Sequence, residues 1–248
     1  MKENEMIFGI RAIIEAIHSD KQIDKIIIKN DMQSELAKEL LNAVKGHNAI
    51  QIQRVPLERL NRYTHKNHQG AIAFVSQTDY QLVADLVPFL YEQGKVPFFV
   101  VLDGVTDIRN FGAIARTCEC AGVDAIIIPV KGGASVNADA IKTSAGALHT
   151  LPVCKESSLT SALKFMKKCG IRIIAASEKG TMPYTEANMK DPVAIVMGAE
   201  DKGVSPEVLR ICDEMVSIPI NGKISSLNVS VAAGVMIYEA VRQRGGNK

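Results

Sequence analysis

Ile218-Pro219-Ile220-Asn221-Gly222-Lys223-Ile224-Ser225-Ser226-Leu227-Asn228-Val229-Ser230-Val231-Ala232-Ala233-Gly234 is the stretch around which the chain is organised. An apolar strand, Val216 to Ile220, meets a proline, turns through Asn221-Gly222, and gives way to two serines and an asparagine before a long apolar segment begins. Asn-Gly supplies the positive φ angles of a tight turn, and Ser225, Ser226 or Asn228 can accept from the free N–H groups of a helix start. From Leu227 the apolar residues Leu227, Val231, Val235, Tyr238 and Val241 recur at helical spacing, Arg242 and Arg244 follow, and Gly245-Gly246 stop the helix. The pattern sets a polar loop between two buried elements, at a helix N-terminus where backbone donors can hold a ligand. A plain strand-turn-helix with a good cap fits the same residues, so the reading turns on what this loop meets.

Outward from it, apolar strands are predicted at Phe98 to Leu102, Ala125 to Ile128, Ile171 to Ala176 and Val193 to Met197. Helices fall between the strands at about 110–121, 137–148, 157–168, 205–212 and 227–244. Strands that are apolar throughout and alternate with helices make a parallel sheet covered on both faces, and such sheets bind ligands beyond the carboxyl ends of their strands. Nearer the start, Ile10, Ile13, Ile14 and Ile17 share one helix face, and Ile26 to Ile28 form a buried strand. A helix through Leu36, Leu40, Leu41 and Val44 stops at Gly46, a strand holds Ile50 and Ile52, Pro56 opens a short helix, and Ala71 to Val75 is another strand. These elements make a small α/β/α unit. Residues 1–76 are thus expected to form one domain, 77–96 a linker with one helix, and 97–248 the larger α/β domain.

With 248 residues and 47% hydrophobic content, the chain can bury a full core. It has no run of about 18 uncharged apolar residues, so no membrane-spanning helix is expected. The start, Met1-Lys2-Glu3-Asn4-Glu5, lacks the layout of a signal peptide. Five scattered cysteines without a C-x-x-C pair read as reduced thiols in a cytoplasmic protein. Cys118 and Cys120 point to different sides of a helix, which argues against a metal pair. The net charge of +2 is uninformative, but Arg54, Arg59, Arg62 and Lys66 gather against the single acid Glu58, with His65 and His68 beside them. Such a loop, with Tyr63 available to stack a base, suits an RNA backbone as well as it suits a solvated surface.

Which ligand the larger domain takes is narrowed by elimination. No two of its glycines have a single residue between them, as a dinucleotide fingerprint requires, and Val204 stands where the lysine of a phosphate loop would follow Gly198-Ala199-Glu200-Asp201-Lys202-Gly203. His149 is the only histidine there, and no nucleophile triad stands out. Three loops at strand ends remain: Leu102-Asp103-Gly104-Val105-Thr106-Asp107-Ile108-Arg109-Asn110-Phe111-Gly112-Ala113-Ile114-Ala115-Arg116-Thr117, then Val196 to Gly203, then the opening stretch. In order and content they resemble the three motifs of the SpoU/TrmH branch of the SPOUT RNA 2′-O-ribose methyltransferases, over roughly Phe98 to Arg244. The smaller domain, with His68-Gln69-Gly70 before its last strand, resembles the ribosomal-protein-like substrate domain of the RlmB-type members.

The resemblance implies a SPOUT-type parallel sheet whose C-terminal segment forms a trefoil knot. It also implies S-adenosylmethionine as cofactor and ribosomal RNA as substrate, most directly a 23S guanosine. Transfer-RNA methylation, or RNA binding without turnover, are the rival activities. Carried over residue by residue, the cofactor falls on Met197, Gly198, Ile218, Ile220 and Leu227, largely through main-chain groups. Catalysis falls on Asn110, Arg116, Glu200, Ser226 and Asn228. No metal is implied. Arg116, whose guanidinium is a poor proton acceptor, is expected to clamp an RNA phosphate and stabilise the developing alkoxide, with Glu200 orienting it. RNA binding is assigned to Arg59, Arg62, Lys66 and His68. Ile108 departs from the proline that relatives carry there. The last helix also carries Met236, Ile237 and Ala240 beside its main stripe, more apolar surface than one sheet face covers, so a homodimer through this domain is expected.

Overall fold

The computed structural model describes residues 6–245 except Asp20 and Asn48; Gly246 and the opening residues Met1 to Glu5 lie outside the described residues. The chain divides into two compact units between Asp79 and Tyr80.

The first unit runs β1 (Met6–Phe8), α1 (Ile10–His18), β2 (Ile23–Lys29), α2 (Glu35–Val44), β3 (Gln51–Val55), α3 (Leu57–Asn61) and β4 (Ala71–Val75). Its sheet has the order β1-β4-β2-β3, with β2 and β3 parallel and β4 antiparallel to both of its neighbours. Successive residues of a strand face opposite sides. Ile26 and Ile28 therefore join Ala71 and Ala73 under α1 and α2, while Ile27 joins Ile72 and Phe74 under Leu60 of α3. Ser34 starts α2 by accepting from Ala37 N at 3.2 Å. β1 escaped the sequence reading because a strand of 3 residues carries no period.

The second unit runs α4 (Val83–Glu92), β5 (Phe98–Asp103), α5 (Ile108–Ala121), β6 (Ala125–Pro129), α6 (Ala138–Thr143), β7 (Val153–Glu156), α7 (Leu159–Lys168), β8 (Arg172–Ala176), β9 (Met182–Pro183), β10 (Val193–Gly198), α8 (Pro206–Leu209), β11 (Glu214–Ser217) and α9 (Val229–Gln243). Seven parallel strands lie in the order β7-β6-β5-β10-β8-β11-β9. Residues of α4, α7 and α8 share a core with one face of the sheet, and α5, α6 and α9 cover the other. From β5 the chain steps outward to β6 and β7, and later returns to set β10 on the other side of β5. The crevice between the carboxyl ends of β5 and β10 is thus the switch point at which ligands of such sheets bind. Gly112 lets α5 approach α6, since a Cβ there would lie 2.1 Å from Thr143 Oγ1.

Four expectations are corrected. Neither Asn221 nor Gly222 takes a positive φ, so the pair does not make the tight turn read there. The strand read as Val216 to Ile220 is Glu214–Ser217; Pro219 has no N–H for a ladder, and Ile218 and Ile220 line a cavity instead. The helix read at 137–148 breaks after Thr143, because Ala145 and Gly146 take φ values of 51° and 88°. The last helix is turned over. Ala233, Met236, Ile237 and Ala240 are its buried side, whereas Val231 and Tyr238 of the supposed core stripe are 53% and 52% exposed.

The end of α9 is fastened to the segment before β10. Gln243 donates from Nε2 to Ala187 O and accepts from Met189 N, each at 2.9 Å. The Arg244 guanidinium donates to the carbonyls of Met189, Asp191, Val96 and Pro97 at 2.7 to 3.1 Å and lies 4.7 Å over the Phe98 ring.

Candidate active site

Each loop at the crevice is shaped locally. After β5, Gly104 takes φ 81°, and Asp107 caps α5 by accepting from Asn110 N at 2.9 Å. Asp103 Oδ2 accepts from Ser205 N at 2.7 Å, tying the end of β5 to the loop that leaves β10. That loop closes on itself through Ala199 N to Gly203 O (3.1 Å) and Gly203 N to Ala199 O (2.8 Å). Gly198 is packed so tightly inside it that a Cβ would meet Gly203 C and Val204 N at 2.1 Å. After β11 the residues 218–228 lead to Asn228, which caps α9 through Ser230 N at 2.9 Å.

Three side chains from the three loops meet. Glu200 Oε1 accepts from Asn110 Nδ2 at 2.9 Å and from Asn228 Nδ2 at 2.6 Å, and Asn228 Nδ2 also faces Asn110 Oδ1 at 3.1 Å. On one side of Glu200 is a cavity of about 380 Å³ lined by Met197, Gly198, Ile218, Ile220, Ser226 and Leu227, together with residues 176–179, 199–204 and Ser225. On the other is a cavity of about 290 Å³ lined by residues 104–107 and Asn110. Ala199, Glu200, Asp201 and Val229 line both cavities. The larger volume falls within the roughly 300–1,000 Å³ usual for small-molecule sites. Its lining of loop backbone and aliphatic side chains fits the adenosine of S-adenosylmethionine, and the carboxylates of Glu178, Glu200 and Asp201 suit its sulfonium charge.

Some expected residues sit differently. Glu200 is bonded to the two asparagines and not to Arg116, which is exposed, lines neither cavity and makes no hydrogen bond or ion pair among the described residues. Six residues carry it about 240° around the helix from Asn110, onto another face. In the first unit Arg59, Arg62 and Lys66 are exposed, but His68 is 8% exposed. Its Nε2 meets Asn61 Oδ1 at 2.9 Å, its Nδ1 accepts from Gly70 N at 3.0 Å, and no ring nitrogen is left for RNA. Tyr63 packs edge-on against Phe74, with ring centres 5.4 Å apart, and is not an open stacking platform. Sequence reasoning missed Asp107, although its place three residues before Asn110 marks a helix cap. Burial pushes the Cys154 thiol up to about 12 and that of Cys212 to about 11, which removes both as nucleophiles. Among the described residues no His/Cys/Asp/Glu group is arranged to hold a metal, and no helix is long and apolar enough to cross a membrane.

Comparison with known proteins identifies the family. The profile described as "SpoU rRNA Methylase family" matches residues 97–238, and "RNA 2'-O ribose methyltransferase substrate binding" matches residues 6–81. The 23S rRNA (guanosine-2'-O-)-methyltransferase RlmB of Shewanella oneidensis is 36% identical over 98% of this chain and 99% of its own. The putative TrmH family tRNA/rRNA methyltransferase YacO of Bacillus subtilis is 31% identical over 98% of this chain and 97% of its own. Among solved structures, the SpoU methyltransferase AviRb of Streptomyces viridochromogenes in complex with AdoMet has a TM-score of 0.61 at 24% identity, covering 98% of this chain and 91% of that one. Fold, site and relatives together define an RNA 2′-O-ribose methyltransferase that uses S-adenosylmethionine. The chain belongs to the SpoU rRNA methylase family.

Proposed function

We propose that this enzyme methylates the ribose 2′-hydroxyl of a guanosine in 23S ribosomal RNA in the cytoplasm. The observation that carries the reading is the wall formed by Glu200, with Asn110 and Asn228 bonded to it, between a cofactor-sized cavity and a second cavity open to substrate. The RlmB relative at 36% identity supports the nucleotide and the RNA. The YacO relative is named for transfer RNA as well, which makes transfer RNA the second reading.

In the proposed site Met197, Gly198, Ile218, Ile220 and Leu227 hold the cofactor, mostly through main-chain groups, and Ser226 lies at the edge of the same cavity. Bound there, S-adenosylmethionine supplies an electrophilic methyl group. The chain's own task is to bring the ribose oxygen in line at roughly 3 Å and keep it there. Asn110 and Glu200 orient the sugar from the cavity lining, Asn228 is bonded to both, and the Glu200 carboxylate oxygen Oε1 is held by two amides. Arg116, exposed, on another face of α5 from Asn110 and without a hydrogen bond or ion pair among the described residues, clamps an RNA phosphate and through the RNA so held steadies the charge growing on the attacking oxygen, while phosphate or water takes the proton.

Three further features complete the proposal. The first unit is a ribosomal-protein-like RNA arm whose Arg59, Arg62 and Lys66 contact phosphates. The segment 184–191, bonded along the end of α9, supports a trefoil knot through which the C-terminal helix is threaded. The exposed Leu227, Val231 and Tyr238 support a homodimer on the outer side of α9.

Mapping ribose methylation in total RNA from cells with and without the protein tests the function. A single 23S guanosine that loses its methyl group is the expected result. Loss only in transfer RNA selects the second reading, and an unchanged map refutes both.

A further inference from the structure

An asparagine side chain has one end that only accepts and one that only donates, so the way it faces decides what it does to its neighbours. Asn228 turns its NH₂ group toward two acceptors, Glu200 Oε1 at 2.6 Å and Asn110 Oδ1 at 3.1 Å. Turned over, its oxygen would meet a carboxylate and a carbonyl oxygen, lone pair against lone pair. What opposes the turn lies behind it. Ser230 N donates to Asn228 Oδ1 at 2.9 Å, and the Ser230 hydroxyl donates to the same oxygen at 2.6 Å. The backbone donor is one that any residue except proline supplies, whereas the hydroxyl belongs to Ser230.

Ser230 lines neither cavity, and its hydroxyl meets the site through Asn228 Oδ1. We infer that Ser230 is a positioning residue of the methyl-transfer site: its hydroxyl holds the Asn228 amide with NH₂ toward Glu200. Through that amide it keeps Glu200 and Asn110 set on the wall between the cavities. The inference rests on the methyltransferase reading above. It also separates two jobs of Asn228, because capping α9 needs only the backbone N–H of Ser230. Removing the hydroxyl leaves the cap and loosens the amide.

The test is Ser230→Ala, with Ser230→Thr to restore the hydroxyl and Ser230→Cys to put back a weak donor. The expected result is a fall in kcat of about tenfold, the effect of one hydrogen bond. KM for S-adenosylmethionine stays within about twofold, since Met197, Gly198, Ile218, Ile220 and Leu227 hold it. Ser230→Thr recovers most of the rate and Ser230→Cys falls between. In an Asn228→Ala background, Ser230→Ala costs nothing more. In isotope-labelled protein without cofactor or RNA, the Asn228 side-chain NH₂ resonances move in Ser230→Ala and return in Ser230→Thr. An unchanged kcat in Ser230→Ala overturns the inference, and so does an equal loss in the Asn228→Ala background. Resonances of Asn228 that do not move, or a rate in Ser230→Thr no better than in Ser230→Ala, overturn it too. If the wild-type protein transfers no methyl group to any RNA, the methyltransferase reading fails instead, and the resonances alone decide the role of Ser230.

Discussion

Replacing Gly198 by alanine should abolish cofactor binding through a single atom. Gly198 is the last residue of β10, pairs with Asp103 of β5, and lines the larger cavity. The added Cβ would lie 2.1 Å from Gly203 C and Val204 N. Both are backbone atoms, so no side chain can swing aside and the loop itself must open. Opening it removes the two hydrogen bonds between Ala199 and Gly203, at about 1 kcal/mol each. The residual crowding adds about 1–3 kcal/mol. The sum, about 3–5 kcal/mol, falls on the loop that walls the cofactor, so affinity for S-adenosylmethionine should drop by at least about a hundredfold. Two other glycines calibrate the effect. Gly203→Ala has open space around it and loses only the ease of a φ of 67°, about 1–2 kcal/mol. Gly222→Ala has open space and no positive φ, and should bind like wild type. Calorimetric titration of the four proteins with S-adenosylmethionine, with melting curves alongside, measures both costs. Binding by Gly198→Ala within about threefold of wild type would refute the assignment of this loop to the cofactor.

Arg116→Ala should lose about 3 kcal/mol or more of transition-state stabilisation while cofactor affinity stays nearly unchanged; near-normal turnover would remove it from the mechanism. Replacing Arg59, Arg62 and Lys66 together by alanine should weaken RNA binding and flatten its salt dependence by up to about 3 units of slope, and equal affinity at all salt concentrations would refute the arm. Val231→Asp with Tyr238→Asp should turn a sedimenting dimer into a monomer, and a wild-type protein that is monomeric at micromolar concentration would refute the interface. Burial, with Asp85 nearby, holds the Glu156 carboxyl above its ordinary value although Val83 N donates to it. Folding therefore favours the protonated form, and this stability is present below the ordinary glutamate range and lost as pH rises through the raised value. Glu156→Gln, which keeps an acceptor for Val83 N, should melt higher than wild type at neutral pH with the gap closing toward about pH 4; a constant gap would contradict it.

The parallel sheet was legible because its central strands are apolar from end to end, as in Val100 to Leu102 and Val193 to Met197. The loops that meet at the crevice were legible as the polar stretches that follow β5, β10 and β11, whereas the roles of their residues came from the family resemblance and not from spacing. What escaped had physical reasons. β7, Val-Cys-Lys-Glu, is half polar and too short for a period, and β9 has only 2 residues. Ile218 and Ile220 read as strand because apolar side chains that line a cavity and those that fill a sheet look alike in sequence. The orientation of α9 was misread because the helix is apolar on two sides, and periodicity cannot tell which one the chain itself covers. His68 looked like an RNA ligand because charge clusters reveal nothing about burial.

The attachment of Gln243 and Arg244 to the segment before β10 has a kinetic consequence. These hydrogen bonds join residues 53 to 148 positions apart in sequence. They can form only once α9 and the amino end of β5 have both come home, which makes their closure a late event with a large chain-entropy cost. The same contacts then resist the reverse journey. For α9 to leave, a guanidinium must give up four carbonyls and an aromatic face, as well as the attraction of the Asp124 and Asp191 carboxylates near it. Bonds that close after the rate-limiting step slow unfolding without slowing folding. Where the lifetime of the native enzyme is governed by that barrier, Gln243→Ala with Arg244→Ala should raise the unfolding rate and leave the folding rate unchanged, as stopped-flow measurement would read.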